Sequence, residues 1–359
     1  MEHIVLRGRN MLYRPKFTIT NKITIAISKI ERARGFFDAI NLSKELLLQL
    51  QNRALVLEAY HTTHIEGTQL TLEQSKKVVR GESIENANPD DIQEVKNYTY
   101  AFNLVSEYLN DGSPITESLI REIHKKLVYQ VRGNTAAPGE YRKIQNYVVN
   151  SKTQEIIYTP PPAYEIGIMM QELIEYINKV TDINDIIISG IAQFQLVHIH
   201  PFLDGNGRTA RLLSTLYLYK KGYDFKKLFT LSEYYDRNRL KYYEAIQSVR
   251  NNDMDMTEWL EYFIHALASQ ISEIQQKSAT FTKYEYLKEN HKLSERQINV
   301  IMYIIEFGEI NIRIYETLYP KVSKRTLQRE LKELVDIDLL EVKGNTNNRI
   351  YTLKLMTNI

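Results

Sequence analysis

Between positions 200 and 211 the chain reads His200-Pro201-Phe202-Leu203-Asp204-Gly205-Asn206-Gly207-Arg208-Thr209-Ala210-Arg211. An imidazole, a carboxylate, a glycine-flanked turn and two guanidinium groups are thus gathered in one short run, and together they suit the handling of a nucleotide phosphate. The His200 imidazole, with an unperturbed pKa of about 6.5, can take a proton from an attacking hydroxyl near neutral pH. Asp204 offers a hard oxygen for Mg²⁺, an ion that binds through one or two carboxylates plus substrate phosphates. Because the residues from Arg211 to Tyr219 are strongly helical in character, the Gly205-Asn206-Gly207 turn should present backbone N–H groups at a helix N-terminus, where anions are attracted. Arg208 and Arg211, one helical turn apart, should project from one face and reach the same polyphosphate, each able to bind two oxygens. A turn that merely joined two core helices would not need a histidine, an aspartate and two arginines around it.

This string resembles the Fic-family motif HPFxDGNGRxxR at every defining position. The resemblance implies that His200 is the general base and Asp204 the Mg²⁺ ligand. It further implies that Gly205, Asn206 and Gly207 form the anion hole, and that Arg208 and Arg211 clamp the outer phosphates of ATP. The implied reaction is transfer of AMP to a Tyr, Thr or Ser hydroxyl of a target protein, with the chain itself among the candidate targets. A kinase-like relative, Doc, carries lysine where Gly207 stands, which favours nucleotidyl transfer here. Removal of AMP from a modified protein is the enzymatic alternative.

Upstream, Thr62-Thr63-His64-Ile65-Glu66-Gly67 places Thr62 and Glu66 one helical turn apart, with Gly67 able to end the helix in a left-handed conformation. It resembles the Fic inhibitory motif [S/T]xxxE[G/N], which implies that Glu66 pairs with Arg211 and withholds it from the γ-phosphate. Tyr242 stands where the family has an adenine-contacting aromatic, although core packing suits that residue equally. In the HxH pair, His198 is expected to position or pack rather than to bind zinc, since the preceding residues are helical and Pro201 follows. His124, in a helical stretch, is expected to pack or to face solvent.

The positioning elements read mostly as helix. Apolar spacing predicts helices from the Ser43 cap to about Ile65, and over Asp90–Leu109, Thr116–Val128, Ala163–Val180, Ile183–Val197, Ser232–Val249 and Met256–Gln276. Tyr147-Val148-Val149 and Ile156-Ile157-Tyr158-Thr159, either side of a polar turn, predict a β-hairpin. By the family resemblance this hairpin is a flap upstream of the motif, whose open edge could pair with an extended target segment. The expected fold is therefore mainly α, a Fic helical core with a β-hairpin flap.

The end of the chain reads as a further module. Helical stretches at Ser294–Ile305 and Tyr315–Leu318 precede a helix capped by Ser323, and two strands, Leu339–Lys343 and Arg349–Leu353, follow around a polar turn. This resembles a winged helix with the Lys324 helix in the recognition position. Five basic residues and one acid lie between Lys321 and Lys332, so DNA binding and protein docking are both open to it. The domains expected are 1–110 with the inhibitory helix, 111–283 as catalytic domain and 284–359 as winged helix.

Composition sets outer bounds. The 359 residues allow two or three cores, and 43% hydrophobic with 25% charged content is ordinary for a globular protein. With no cysteine, disulfides, thiolate zinc sites and cysteine nucleophiles are excluded. A net charge of +2 gives no global case for nucleic acid, so a DNA-binding regulator whose core only senses nucleotide would need a local basic surface. No apolar run reaches the roughly 18 residues of a membrane span, and residues Met1–Arg9 lack the apolar core of a signal peptide. The expectation is a cytoplasmic protein with no membrane partner; a homo-oligomer is compatible with the sequence.

Overall fold

The computed structural model describes residues 13–108, 113–131, 133, 135–149, 153–291, 293–344 and 349–354. Residues Met1–Arg9, the expected hairpin turn at 150–152 and the expected turn between the last two strands at 345–348 lie outside them. The chain divides into two compact units, one containing Leu48–Ser272 with the residues up to Asp38, the other Ala39–Leu47 with Glu273–Ile359.

In the first unit, α1 (Asn21–Ala39), α2 (Lys44–Ile65), α3 (Leu72–Val79), α4 (Pro89–Tyr108) and α5 (Glu117–Leu127) precede a hairpin of β1 (Val148–Val149) and β2 (Ile156–Tyr158). Then come α6 (Ile166–Lys179), α7 (Asp185–Ile199), α8 (Asn206–Lys220), α9 (Leu231–Arg237), α10 (Arg239–Asn251) and the start of α11 (Thr257–His291), whose residues from Glu273 onward belong to the second unit. Helix α7 is mostly apolar and is buried on every side from Ile186 to Leu196, as a helix without a charged face can be. Gly190 lets α11 approach closely: a Cβ there would meet Phe263 at 2.8 Å and Leu260 at 2.9 Å. The Trp259 indole N–H donates to the Gly190 carbonyl at 2.8 Å. This central helix carries His200 at its end.

Several expected boundaries shift. The stretch Ser232–Val249 is two helices, broken at Asn238, whose backbone leaves the helical region at φ −126°, ψ 42°. Helices α4 and α5 belong to one compact unit, and Asn97 on α4 donates to the Leu127 and Tyr129 carbonyls at 3.2 and 2.7 Å. Helix α11 runs continuously across positions 283 and 284. Strands β1 and β2 pair antiparallel, Val148 with Tyr158 and Val149 with Ile156, across a bulge.

The second unit contains α12 (Glu295–Phe307), β3 (Ile310–Asn311), α13 (Ile312–Leu318), α14 (Lys324–Asp336), β4 (Leu340–Lys343) and β5 (Ile350–Leu353). Its sheet is antiparallel with order β3-β5-β4. Ser294 caps α12 in a capping box with Gln297, and Ser323 caps α14 by accepting from the Thr326 N–H. Leu327, Leu331 and Leu334 of α14 pack into a core with Val300, Ile301 and Tyr315.

Candidate active site

Helix α7 stops at His200, which takes a left-handed conformation, φ 51° and ψ 56°. Left-handed backbone is uncommon outside glycine, and here it turns the chain into Pro201, which could not extend the helix. The His200 Nδ1 lies 3.2 Å from the Val197 carbonyl, so Nδ1 carries the proton and Nε2 keeps a lone pair. Burial, with smaller contributions from the Arg142 and Arg250 charges, lowers the His200 pKa to about 4. Its imidazole is neutral at pH 7 and competent to accept a proton.

The loop beyond His200 is braced from three directions. Asn206 Oδ1 accepts from the Phe202 N–H and Asn206 Nδ2 donates to the Phe202 carbonyl, both at 2.9 Å. Arg142, buried, donates from Nε to the His200 carbonyl at 2.9 Å and from Nη1 to the Ile144 carbonyl at 3.0 Å. Its own N–H donates to the Pro201 carbonyl at 2.9 Å. From α5, the His124 ring stacks on Phe202 with centroids 3.7 Å apart. His124 Nδ1 accepts from the Gly139 N–H at 3.0 Å, which leaves Nε2 to donate to the Asp204 carbonyl at 3.0 Å. Burial lowers the His124 pKa to about 4. His124 packs, as expected, but it also holds the motif loop.

Gly205 is the N-cap of α8 with φ 74°, and a Cβ there would meet Val128 at 2.8 Å. The expected helix N-terminus is therefore in place, with first-turn N–H groups that have no intrahelical acceptor. Above it lies Glu66: a Cβ on Gly207 would collide with Glu66 Oε1. The Glu66 carboxylate, 26% exposed, meets Arg211 Nη2 at 2.6 Å. Arg211 also donates from Nε to the Thr62 hydroxyl at 2.8 Å and from Nη2 to the Thr62 carbonyl at 3.0 Å. Burial alone would lower the Arg211 pKa, and the Glu66 charge reverses this to a net rise.

Helix α2, which carries Thr62 and ends one residue before Glu66, is fixed by neighbours that local sequence pattern does not single out. His61 and His64 place Nδ1 at 2.9 and 2.8 Å from Asp236 Oδ2. Burial would raise the Asp236 pKa; the two imidazoles and Arg239 outweigh it and bring it to about 2. Gly67, at φ 111°, then ends the helix, and its N–H donates to the His64 carbonyl at 3.1 Å.

The two motif arginines are not presented alike. Arg208 is 1% exposed, with Nη1 3.3 Å from Glu94 Oε2 and Nη2 3.7 Å from Asp204 Oδ1. Glu94, 2% exposed, also accepts from the Thr68 hydroxyl at 2.9 Å. Tyr242 lies in the core: it is 2% exposed and stacks on Tyr235 with centroids 4.4 Å apart, and burial raises its pKa while the nearby Arg211 charge opposes the rise. This burial favours the core-packing alternative for Tyr242. Behind the motif, the Tyr158 hydroxyl at the end of β2 lies 2.8 Å from both His198 Nδ1 and the His198 carbonyl. His198 thereby positions the hairpin.

Asp204, 37% exposed, is the carboxylate at the motif loop, with Oδ1 accepting from the Gly205 N–H at 2.6 Å. Among the described residues no group of three or more His, Cys, Asp or Glu is arranged to hold a metal ion. A single carboxylate beside a helix N-terminus fits an ion that arrives with nucleotide phosphates, as Mg²⁺ does.

Comparison with known proteins agrees with this geometry. Residues 114–218 match the model of the Fic/DOC family. The chain is 28% identical over 200 residues to the Protein adenylyltransferase Fic of Drosophila ananassae, covering 55% of this chain and 38% of that protein. The Drosophila erecta protein of the same name gives 28% over 200 residues, 55% and 39%. The chain thus spans well under half the length of these relatives. Among solved structures, a Fic family protein from Desulfovibrio desulfuricans is similar over 97% of this chain and 100% of its own, with 22% identity and a TM-score of 0.64. A Fic domain containing signaling protein from Bacteroides thetaiotaomicron is similar over 73% and 97%, with 24% identity and a TM-score of 0.60. Residues 114–218, the helical core around His200, are a Fic domain, matching the Fic/DOC family.

Proposed function

We propose that this protein transfers AMP from Mg²⁺-bound ATP to a hydroxyl group of a protein, and that Glu66 restrains it. The observation that carries the reading is the pairing of a neutral His200, with its Nε2 lone pair available, with the α8 N-terminus beneath the Glu66 carboxylate. The name of the Drosophila relatives supports the reaction class. In the step proposed, the target hydroxyl oxygen forms a bond to the α-phosphorus as its proton passes to His200 Nε2. The bond from that phosphorus to the bridging oxygen breaks, and pyrophosphate leaves with the electron pair. Asp204 would hold Mg²⁺, whose charge offsets that of the phosphates when bound. Arg211, released by Glu66, clamps the outer phosphate, and the N–H groups at Gly205–Gly207 receive phosphate oxygens.

Incubation with labelled ATP and lysate tests this. Label should enter protein, His200→Ala should abolish transfer with folding retained, and full transfer by that variant would sink the mechanism. Release of AMP from a pre-modified protein without forward transfer would favour the reverse reaction. A reading from another class, a DNA-binding regulator whose core senses nucleotide, is favoured by one observation, a cationic groove in the second unit; such a groove is also compatible with an active transferase core.

A further inference from the structure

A groove of about 980 Å³ opens in the second unit between α13, α14 and the β4–β5 ribbon. Arg313 from α13, Arg325, Arg329 and Lys332 from α14, and Arg349 just before β5 line it, with Asp336 as the acid among the lining residues. All five cations are exposed. Two of the basic residues that stand out in the sequence already have partners: Lys324, outside the groove lining, lies 3.3 Å from Glu316, and Arg329 lies 3.6 Å from Glu333. By contrast, Arg313, Arg325, Lys332 and Arg349 make no side-chain ion pair or hydrogen bond among the described residues. Four uncompensated charges from three separate elements therefore converge on one concave surface, in a protein whose net charge is only +2. Like charges so placed repel one another, and a polyanion in the groove removes that cost.

The spacing selects among polyanions. Arg325, Gln328, Arg329 and Lys332 fall at i, i+3, i+4 and i+7 along one exposed face of a helix of 13 residues. At 1.5 Å per residue that helix is about 20 Å long, and a duplex major groove about 12 Å wide admits a helix of this kind. Arg349, on the opposite wall, is placed for a second row of phosphates. The face lacks the aromatic anchors and depleted charge that mark the centre of a protein interface, while Gln328 carries an amide able to bond a base edge.

We propose that this groove binds duplex DNA, with Arg313, Arg325, Lys332 and Arg349 on phosphates and Gln328 toward the bases. The proposal is independent of the transfer reaction, so either can fail alone.

The test is fluorescence anisotropy of the full chain with a labelled mixed-sequence DNA duplex, repeated as salt is raised. Binding should weaken steeply with salt, and a triple variant Arg313→Ala, Arg325→Ala, Arg349→Ala should lose at least about tenfold in affinity with a shallower salt slope. Lys324→Ala should change affinity by less than about twofold, since that ammonium is already paired. Circular dichroism and AMP transfer of the triple variant, both unchanged from the parent, would show that fold and catalytic core are intact; should the triple variant unfold, the single variants Arg313→Ala and Arg349→Ala carry the same test. No binding at low salt, parent-like binding by these variants, or equal displacement by poly-glutamate would overturn the proposal.

Discussion

Thr62 holds Arg211 at two points, its hydroxyl 2.8 Å from Nε and its carbonyl 3.0 Å from Nη2, whereas Glu66 meets the same guanidinium only at Nη2. Loss of the Glu66 carboxylate therefore leaves Arg211 anchored and frees the space over Gly207. Glu66→Gly should raise AMP transfer, Arg211→Ala should lose it, and the double variant should resemble Arg211→Ala. Labelled-ATP self-modification across the three variants measures this; an unchanged rate in Glu66→Gly would assign α2 a structural role alone.

Arg142 should act on turnover without touching substrate, because its donors tie the His200 and Ile144 carbonyls together. In the Glu66→Gly background, Arg142→Ala is expected to lower kcat by about tenfold or more, as small misplacements of a catalytic base do, with a smaller effect on the KM for ATP. Steady-state kinetics would show the split, and an effect confined to KM would remove Arg142 from the positioning of His200.

The Arg208–Glu94 pair should matter to stability. With both side chains buried, Glu94→Ala leaves a guanidinium in the core with Asp204, 3.7 Å away, as its remaining carboxylate neighbour among the described residues. Breaking a buried pair of this kind costs about 3–5 kcal/mol. Urea unfolding should register a loss of that order, and a change under about 1 kcal/mol would show that water reaches Arg208.

Acid should weaken the fold in a defined window. His124, His198 and His200 all have pKa values lowered to about 4, chiefly by burial. Between about pH 6.5, the unfolded value, and pH 4 the unfolded chain binds more protons than the folded one. Stability is then fully present above that window and falls as pH drops through it. Urea midpoints at pH 7 and 5 should differ in that direction, and three histidine ring signals in NMR should fail to titrate above pH 5.

Much of this was legible in the residues, and the omissions have physical reasons. The Ser323 cap and the left-handed Gly67 follow from local rules that the structure obeys. Helix α1 went unread although Ile23, Ala26, Ile30, Ala33 and Phe37 carry its buried stripe, and α3 opens with a Thr71–Gln74 capping box in plain view. Glu94 could have been noticed as an acid in line with the buried positions Tyr98, Ala101 and Val105 of α4. Strand β3 has two residues, too few to show alternation. The roles of Arg142, His124 and Asp236 arise from partners about 58 to 175 positions away in sequence, and no local pattern encodes such contacts.

Gly207 is where the missing side chain has its widest effect. The volume beside its Cα is filled by Glu66 Oε1, at the head of a helix suited to phosphate. Under the proposed function, a restraint lodged in the substrate's own berth would be displaced by substrate as its concentration rises, so nucleotide abundance and any partner that loosens α2 would be interchangeable ways of switching on one protein. A methyl group at position 207 would evict the carboxylate but crowd the phosphate as well, so bulk added at this position cannot lift the restraint without also impeding the ligand.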